Sequence, residues 1–161
     1  MDIFEFAMQK EKYSEDYYRQ LANQTTDAGL RKILNMLADE EAKHYSVVEQ
    51  MKSKIPESVC STNVLSKAKD IFKQMRENVE EFDFDIKQTE LYRKAQDIEK
   101  NSRDFYLEKA DEVTEKSQKE IFLKLAEEEK KHYFLLDNII EFVSRPEHWL
   151  ENAEFYHLEE Y

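Results

Sequence analysis

The chain has 161 residues, 37 % of them charged and 40 % hydrophobic, with a formal net charge of −12. So acidic a surface repels a phosphate backbone on average, which argues against nucleic acid or an anionic membrane as partner. One Gly and two Pro leave little stock for turns, so the chain should be nearly all helix, and ten Phe and nine Tyr supply the apolar bulk that a disordered acidic chain lacks.

Taken in chain order, the start "MDIFEFAMQK" has no basic run followed by a long apolar one, so no signal peptide is expected. The first helical stripe is Phe4, Ala7, Met8, Ser14, Tyr18, Leu21 and Ala22. A break at "NQTTDAG" precedes the second: Leu30, Ile33, Leu34, Leu37, Val48, Met51 and Ile55. Thr26 is the expected N-cap of that helix, and Pro56 follows it as a residue unable to continue one. Residues 57–86 read as a crossover with one short helix, striped by Val64, Leu65, Ala68, Ile71, Phe72 and Met75. The single Cys60 falls there and is read as a loop or part-buried thiol.

The third long stripe is Leu91, Tyr92, Ala95, Ser102, Phe105, Tyr106, Ala110 and Val113. After "DEVTEKS", with Thr114 as expected N-cap, the fourth is Ile121, Phe122, Leu125, Tyr133, Leu136, Ile139, Ile140 and Val143, closed by Pro146. The tail "RPEHWLENAEFYHLEEY" is expected to form a short helix, with Trp149, Phe155 and Tyr156 as candidate contacts to another copy. No stretch is long and apolar enough to span a membrane, so cytoplasm is the expected compartment. The short links make two antiparallel hairpins, and the whole is expected to be one all-α domain over 1–161, a four-helix bundle.

The hairpins repeat one another, over about 3–55 and 87–144. "LADEEAKHY" at 37–45 lies over "LAEEEKKHY" at 125–133, and "EKYSEDYYRQLA" over "EKNSRDFYLEKA". Glu11 and Glu99, Glu41 and Glu129, His44 and His132 are each 88 residues apart (99 − 11, 129 − 41, 132 − 44). Helical spacing puts all six on the apolar faces: Glu11 four after Ala7, Glu41 four after Leu37, His44 four before Val48, and likewise in the second copy.

Four carboxylates and two imidazoles in a bundle core need compensation, since each buried charge costs roughly several kcal/mol. Two divalent cations supply four positive charges against four negative ones. The mixed oxygen and nitrogen donors suit iron or manganese, with zinc or cobalt as substitutes. A third Glu-x-x-His, Glu154 to His157, has no partner in the repeat and is read as unrelated, as is His148.

This six-residue pattern resembles the ferritin-like di-iron carboxylate proteins, and among them the rubrerythrin family, over about residues 1–145. The resemblance implies a ferritin-like four-helix bundle holding two iron ions, or an iron–manganese pair. Glu11, Glu41, His44, Glu99, Glu129 and His132 would be the ligands, with Glu41 and Glu129 bridging. Tyr18 and Tyr106 look like donors to the ligand carboxylates, or else plain core residues. Glu40 and Glu128 either orient the opposite histidine through its free N–H or are solvated acids. Tyr45 and Tyr133 are read as packing.

The family's usual four-cysteine redox domain is lacking, which implies an external electron donor, rubredoxin-like or a flavoprotein. Its extra glutamate three residues after the third-helix ligand is replaced by Ser102, mirrored by Ser14. These serines would line an oxidant pocket. The implied activity is reaction with H2O2 or O2, as peroxide scavenging or ferroxidase work. Alternatives are an oxygenase, which would need a wider apolar pocket beside the metals, iron storage without turnover, or a bundle whose metals only stabilise it. A homodimer or larger homo-oligomer is expected from the same resemblance.

Overall fold

The computed structural model describes residues 2–53, 64–76 and 89–144, all of them in helices or the short links between them. The helices are α1 (Ile3–Gln24), α2 (Ala28–Lys52), α3 (Val64–Arg76), α4 (Thr89–Glu112) and α5 (Lys116–Ser144). The fold is the expected all-α bundle with a short helix in the crossover. Expectations for Cys60, Pro56, His148 and the tail, including Glu154, His157, Trp149, Phe155 and Tyr156, lie outside the described residues.

Local chemistry sets the helix ends. Asp2 and Glu5 form a capping box on α1, with the Asp2 carboxylate accepting from the Glu5 amide at 2.8 Å. The N-cap of α2 is Asp27, not Thr26: the Asp27 carboxylate accepts from Leu30 N–H at 2.9 Å. In the second link α5 begins at Lys116, and Lys119 N–H already donates to the Glu115 carbonyl, so Thr114 lies outside the capping position too. At α1 and α2 the capping carboxylate also faces the positive pole of the helix, which a neutral hydroxyl does not exploit.

α1 packs along α2, and α4 along α5; the hairpins meet through α1–α4 and α2–α5. Tyr18 of α1 reaches Glu99 of α4, while Tyr106 reaches back to Glu11. Sequence rises along α1 as it falls along α4, so these two helices run antiparallel. By the same criterion α2 and α5 are antiparallel, since His44 meets Glu129 and His132 meets Glu41. α2 and α4 therefore run the same way, and the chain between them must travel the length of the bundle, which is why the crossover is long.

The repeat extends to the helix boundaries. α1 ends at Gln24 and α4 at Glu112, α2 begins at Ala28 and α5 at Lys116, again 88 apart (112 − 24, 116 − 28). Buried apolar residues fall into two clusters. One holds Leu21, Leu30, Ile33, Leu34, Tyr92, Leu135, Ile139 and Phe142, capped by Val64, Ala68, Ile71 and Phe72 of α3. The other, at the far end, holds Ala7, Val48, Met51, Tyr106, Ala110, Phe122 and Leu125. Burying a large apolar side chain contributes about 1.5–3 kcal/mol, so two such clusters clamp whatever lies between them. Tyr133, placed in the apolar stripe by sequence, is 40 % exposed instead. It follows His132 by one residue, hence by about 100° around the helix, and the inward positions continue as Leu136, Ile139 and Val143.

Candidate metal centre

Between the two apolar clusters lies a layer of ionisable groups. Glu11, Glu41, His44, Glu99, Glu129 and His132 come from four different helices, and each is at most 3 % exposed. Among the described residues they form two overlapping nests. Glu11, Glu41, His44 and Glu129 offer atoms within 4.8 Å of one another, and so do Glu41, Glu99, Glu129 and His132. Glu41 and Glu129 belong to both nests.

The two histidines face each other with rings 5.6 Å apart and nearly parallel. His44 Nδ1 is 2.7 Å from Glu129 Oε1, 3.5 Å from Glu41 Oε2 and 3.6 Å from Glu11 Oε2. His132 Nδ1 is 3.0 Å from Glu41 Oε1 and 3.4 Å from Glu99 Oε1. The Oε2 atoms of all four glutamates are buried without a hydrogen-bond partner, as is His132 Nε2. A buried acceptor left unmade costs about 1–3 kcal/mol, more when charged. Four such oxygens converging on one layer form a donor set in search of cations.

The electrostatics of the metal-free cluster follow from burial and proximity. Burial first, then the neighbouring Glu99 and Glu11 charges, push the Glu41 carboxyl well above the usual range. Burial and the charges of Glu41 and Glu99 do the same to Glu129. Burial also raises Glu99, but the His132 charge and the neighbouring Glu129 carboxyl outweigh it and hold its carboxyl down to about 2. Glu11 is lowered in the same way by the neighbouring Glu41 carboxyl and by the His44 charge. Burial disfavours both imidazolium ions, yet Glu11 holds His44 and Glu99 holds His132 above the ordinary histidine value. Without metal, burial and crowding thus favour the protonated forms of Glu41, Glu129, His44 and His132 and the charged forms of Glu11 and Glu99.

The tyrosines add a second tier. Tyr18 donates to Glu99 Oε1 and Tyr106 to Glu11 Oε1, each crossing from one hairpin to the other. Burial and the adjacent carboxylates keep both phenols protonated, well above the ordinary tyrosine value. Glu40, His44 and Glu128 also offer atoms within 4.8 Å of one another. Glu128 is buried rather than solvated, and Glu40 is half-buried. Both acids thus gather at His44. For Glu40 this is the histidine on its own helix, not the opposite one expected, and His132 Nε2 has no partner.

Ser14 and Ser102 are buried one turn beyond Glu11 and Glu99 and line a cleft between α1 and α4. The rest of its wall, Phe6, Gln9, Lys10, Tyr13, Ile98 and Asn101, went unremarked in the sequence. The signal available was the excess of large apolar residues on the outer face of α1, where Phe6 and Tyr13 are 44 % and 54 % exposed.

The model of the Rubrerythrin family matches residues 2–140. Among solved structures, the chain is similar to a hypothetical protein from Pyrococcus furiosus, with 21 % identity, a TM-score of 0.65, and coverage of 91 % of this chain and 90 % of that one. At that identity the likeness concerns the fold. No curated protein matches the chain.

Proposed function

The chain belongs to the rubrerythrin family, and from that premise we propose that it is a di-iron carboxylate protein whose reduced site reacts with hydrogen peroxide or O2, as a peroxide scavenger or ferroxidase. The observation that carries this reading is the pair of nests sharing Glu41 and Glu129, with four unpartnered carboxylate oxygens aimed into them. Glu11 and His44 would hold one ion, Glu99 and His132 the other, with Glu41 and Glu129 between. Iron, or an iron–manganese pair, would supply one-electron chemistry at each position.

The chain's own residues do the rest. The four carboxylates cancel the charge of two divalent ions. His44 and His132, whose Nδ1 atoms face the carboxylates, would hold the ions once they lose their protons. Tyr18 and Tyr106 fix the rotamers of Glu99 and Glu11 and can keep an O–H directed at those carboxylates throughout. The apolar clusters above and below exclude water from both ends of the layer. Electrons reach the site from a separate reductant, a rubredoxin-like protein or a flavoprotein, in the cytoplasm.

The test is anaerobic Fe(II) loading followed by mixing with H2O2 or O2, watched through near-UV charge-transfer bands. Rapid oxidation, and steady peroxide consumption with a reductant present, are the expected results. Iron uptake with no oxidant consumed would assign the protein to storage instead.

A further inference from the structure

The cleft between α1 and α4 is not used by the charge balance of the metal layer. It has a volume of about 250 Å³ and is walled by Phe6, Tyr13 and Ile98, with Gln9, Lys10 and Asn101 adding polar groups. Ser14 and Ser102 also line it, and each lies three residues along its helix from a proposed ligand, Glu11 or Glu99. No proposed ligand lines the cleft itself, and the two small serine side chains are the buried part of its wall. Ser14 donates back to the Lys10 carbonyl at 3.0 Å. The Ser102 hydroxyl makes no hydrogen bond among the described residues, yet it is not among the sealed, unpartnered atoms.

Hydrogen peroxide has two heavy atoms and needs no apolar chamber. Pockets for drug-sized ligands begin at about 300 Å³, so this one suits a molecule of several to about ten heavy atoms. We propose that the α1–α4 cleft binds the apolar group of a small organic hydroperoxide, with its O–O–H end directed past Ser14 and Ser102 toward the carboxylate layer. The proposal rests on the peroxide-reducing function above and gives it a second substrate class. The free Ser102 hydroxyl offers the peroxide oxygen a donor, and Phe6, Tyr13 and Ile98 cover the organic group. Reduction of such a molecule breaks its O–O bond, takes up two electrons and two protons, and leaves an alcohol and water. The electrons are those that the proposed Fe(II) pair supplies for hydrogen peroxide.

Two arms test it. In the first, metal-free protein is titrated with 2-phenyl-2-propanol, the unreactive alcohol related to cumene hydroperoxide, and followed by amide NMR. Shifts should centre on Tyr13, Ser14, Ile98 and Ser102 and disappear in Ser102→Leu. Shifts elsewhere, or none, overturn the proposal whether or not the protein binds iron. In the second, iron-loaded wild type and Ser102→Leu, with metal content checked to be equal, are mixed with cumene hydroperoxide and with H2O2. The ratio of the two oxidation rates should fall by about tenfold in the variant, the effect of a clash worth about 1.4 kcal/mol. An unchanged ratio overturns the proposal. Ile98→Phe, on the same cleft wall, repeats both arms should Ser102→Leu fail to fold. Protein that takes up no metal contradicts the di-iron reading alone, because the NMR arm still stands.

Discussion

Removing the hydroxyl of Tyr18 or Tyr106 strands a carboxylate oxygen of Glu99 or Glu11 in the interior. A hydrogen bond to a charged group contributes about 1.5–3 kcal/mol. Tyr18→Phe and Tyr106→Phe should each destabilise the metal-free protein by about that much in urea unfolding, and loss below about 0.5 kcal/mol would make them plain core residues. The inward placement of the six ionisable groups was legible from spacing alone, because each falls on an apolar stripe. The pairing of Tyr18 with Glu99 rather than with Glu11, seven residues away on its own helix, was not. It depends on α1 and α4 running antiparallel side by side, which no local pattern encodes. The burial of Glu128 was likewise hidden in an acidic run that reads as a solvated face.

At the scale of the element, the helices were legible because Gly and Pro are nearly absent and the stripes are long, but their starts were ambiguous. "TTD" offers three acceptable caps in a row, and only the fold shows that Asp27 accepts from Leu30. Asp27→Ala should therefore cost about 1 kcal/mol while Thr26→Ala costs close to nothing, as measured by chemical denaturation. Equal losses would mean that the cap is shared. The short crossover helix is predicted by a six-residue stripe, and its Val64, Ala68, Ile71 and Phe72 do cover one end of the bundle. The cleft between α1 and α4 has no local sequence signature because it is formed by two helices far apart in the chain.

For the whole molecule, the constant offset of 88 residues between hairpins foretold a two-fold arrangement, and the structure extends it from the six groups to the helix ends. The symmetry has a thermodynamic consequence. Glu41, Glu129, His44 and His132 all bind protons more tightly folded than unfolded, so the stability they contribute is complete at low pH and lost as the pH rises through their folded values. That loss begins above the ordinary value of 4.5 for the two acids and 6.5 for the two imidazoles. Glu11 and Glu99 have the opposite sign, and their contribution disappears as the pH falls below 4.5, toward about 2 for Glu99. The melting temperature of the metal-free protein should thus fall from about pH 6 to about pH 9. In the metal-loaded protein cations replace those protons, and the fall should vanish or reverse. A metal-free protein that grows more stable toward alkaline pH would show that the four groups are not protonated in the fold.

Cation-for-proton exchange at the centre of the bundle can be read directly by calorimetric titration of the metal-free protein with Fe(II), anaerobically, in buffers of different ionisation enthalpy. At about pH 6, saturation should come at two ions per chain, with about four protons released: one each from Glu41, Glu129, His44 and His132. Uptake that never saturates, or that saturates at two ions while releasing no protons, would contradict the account.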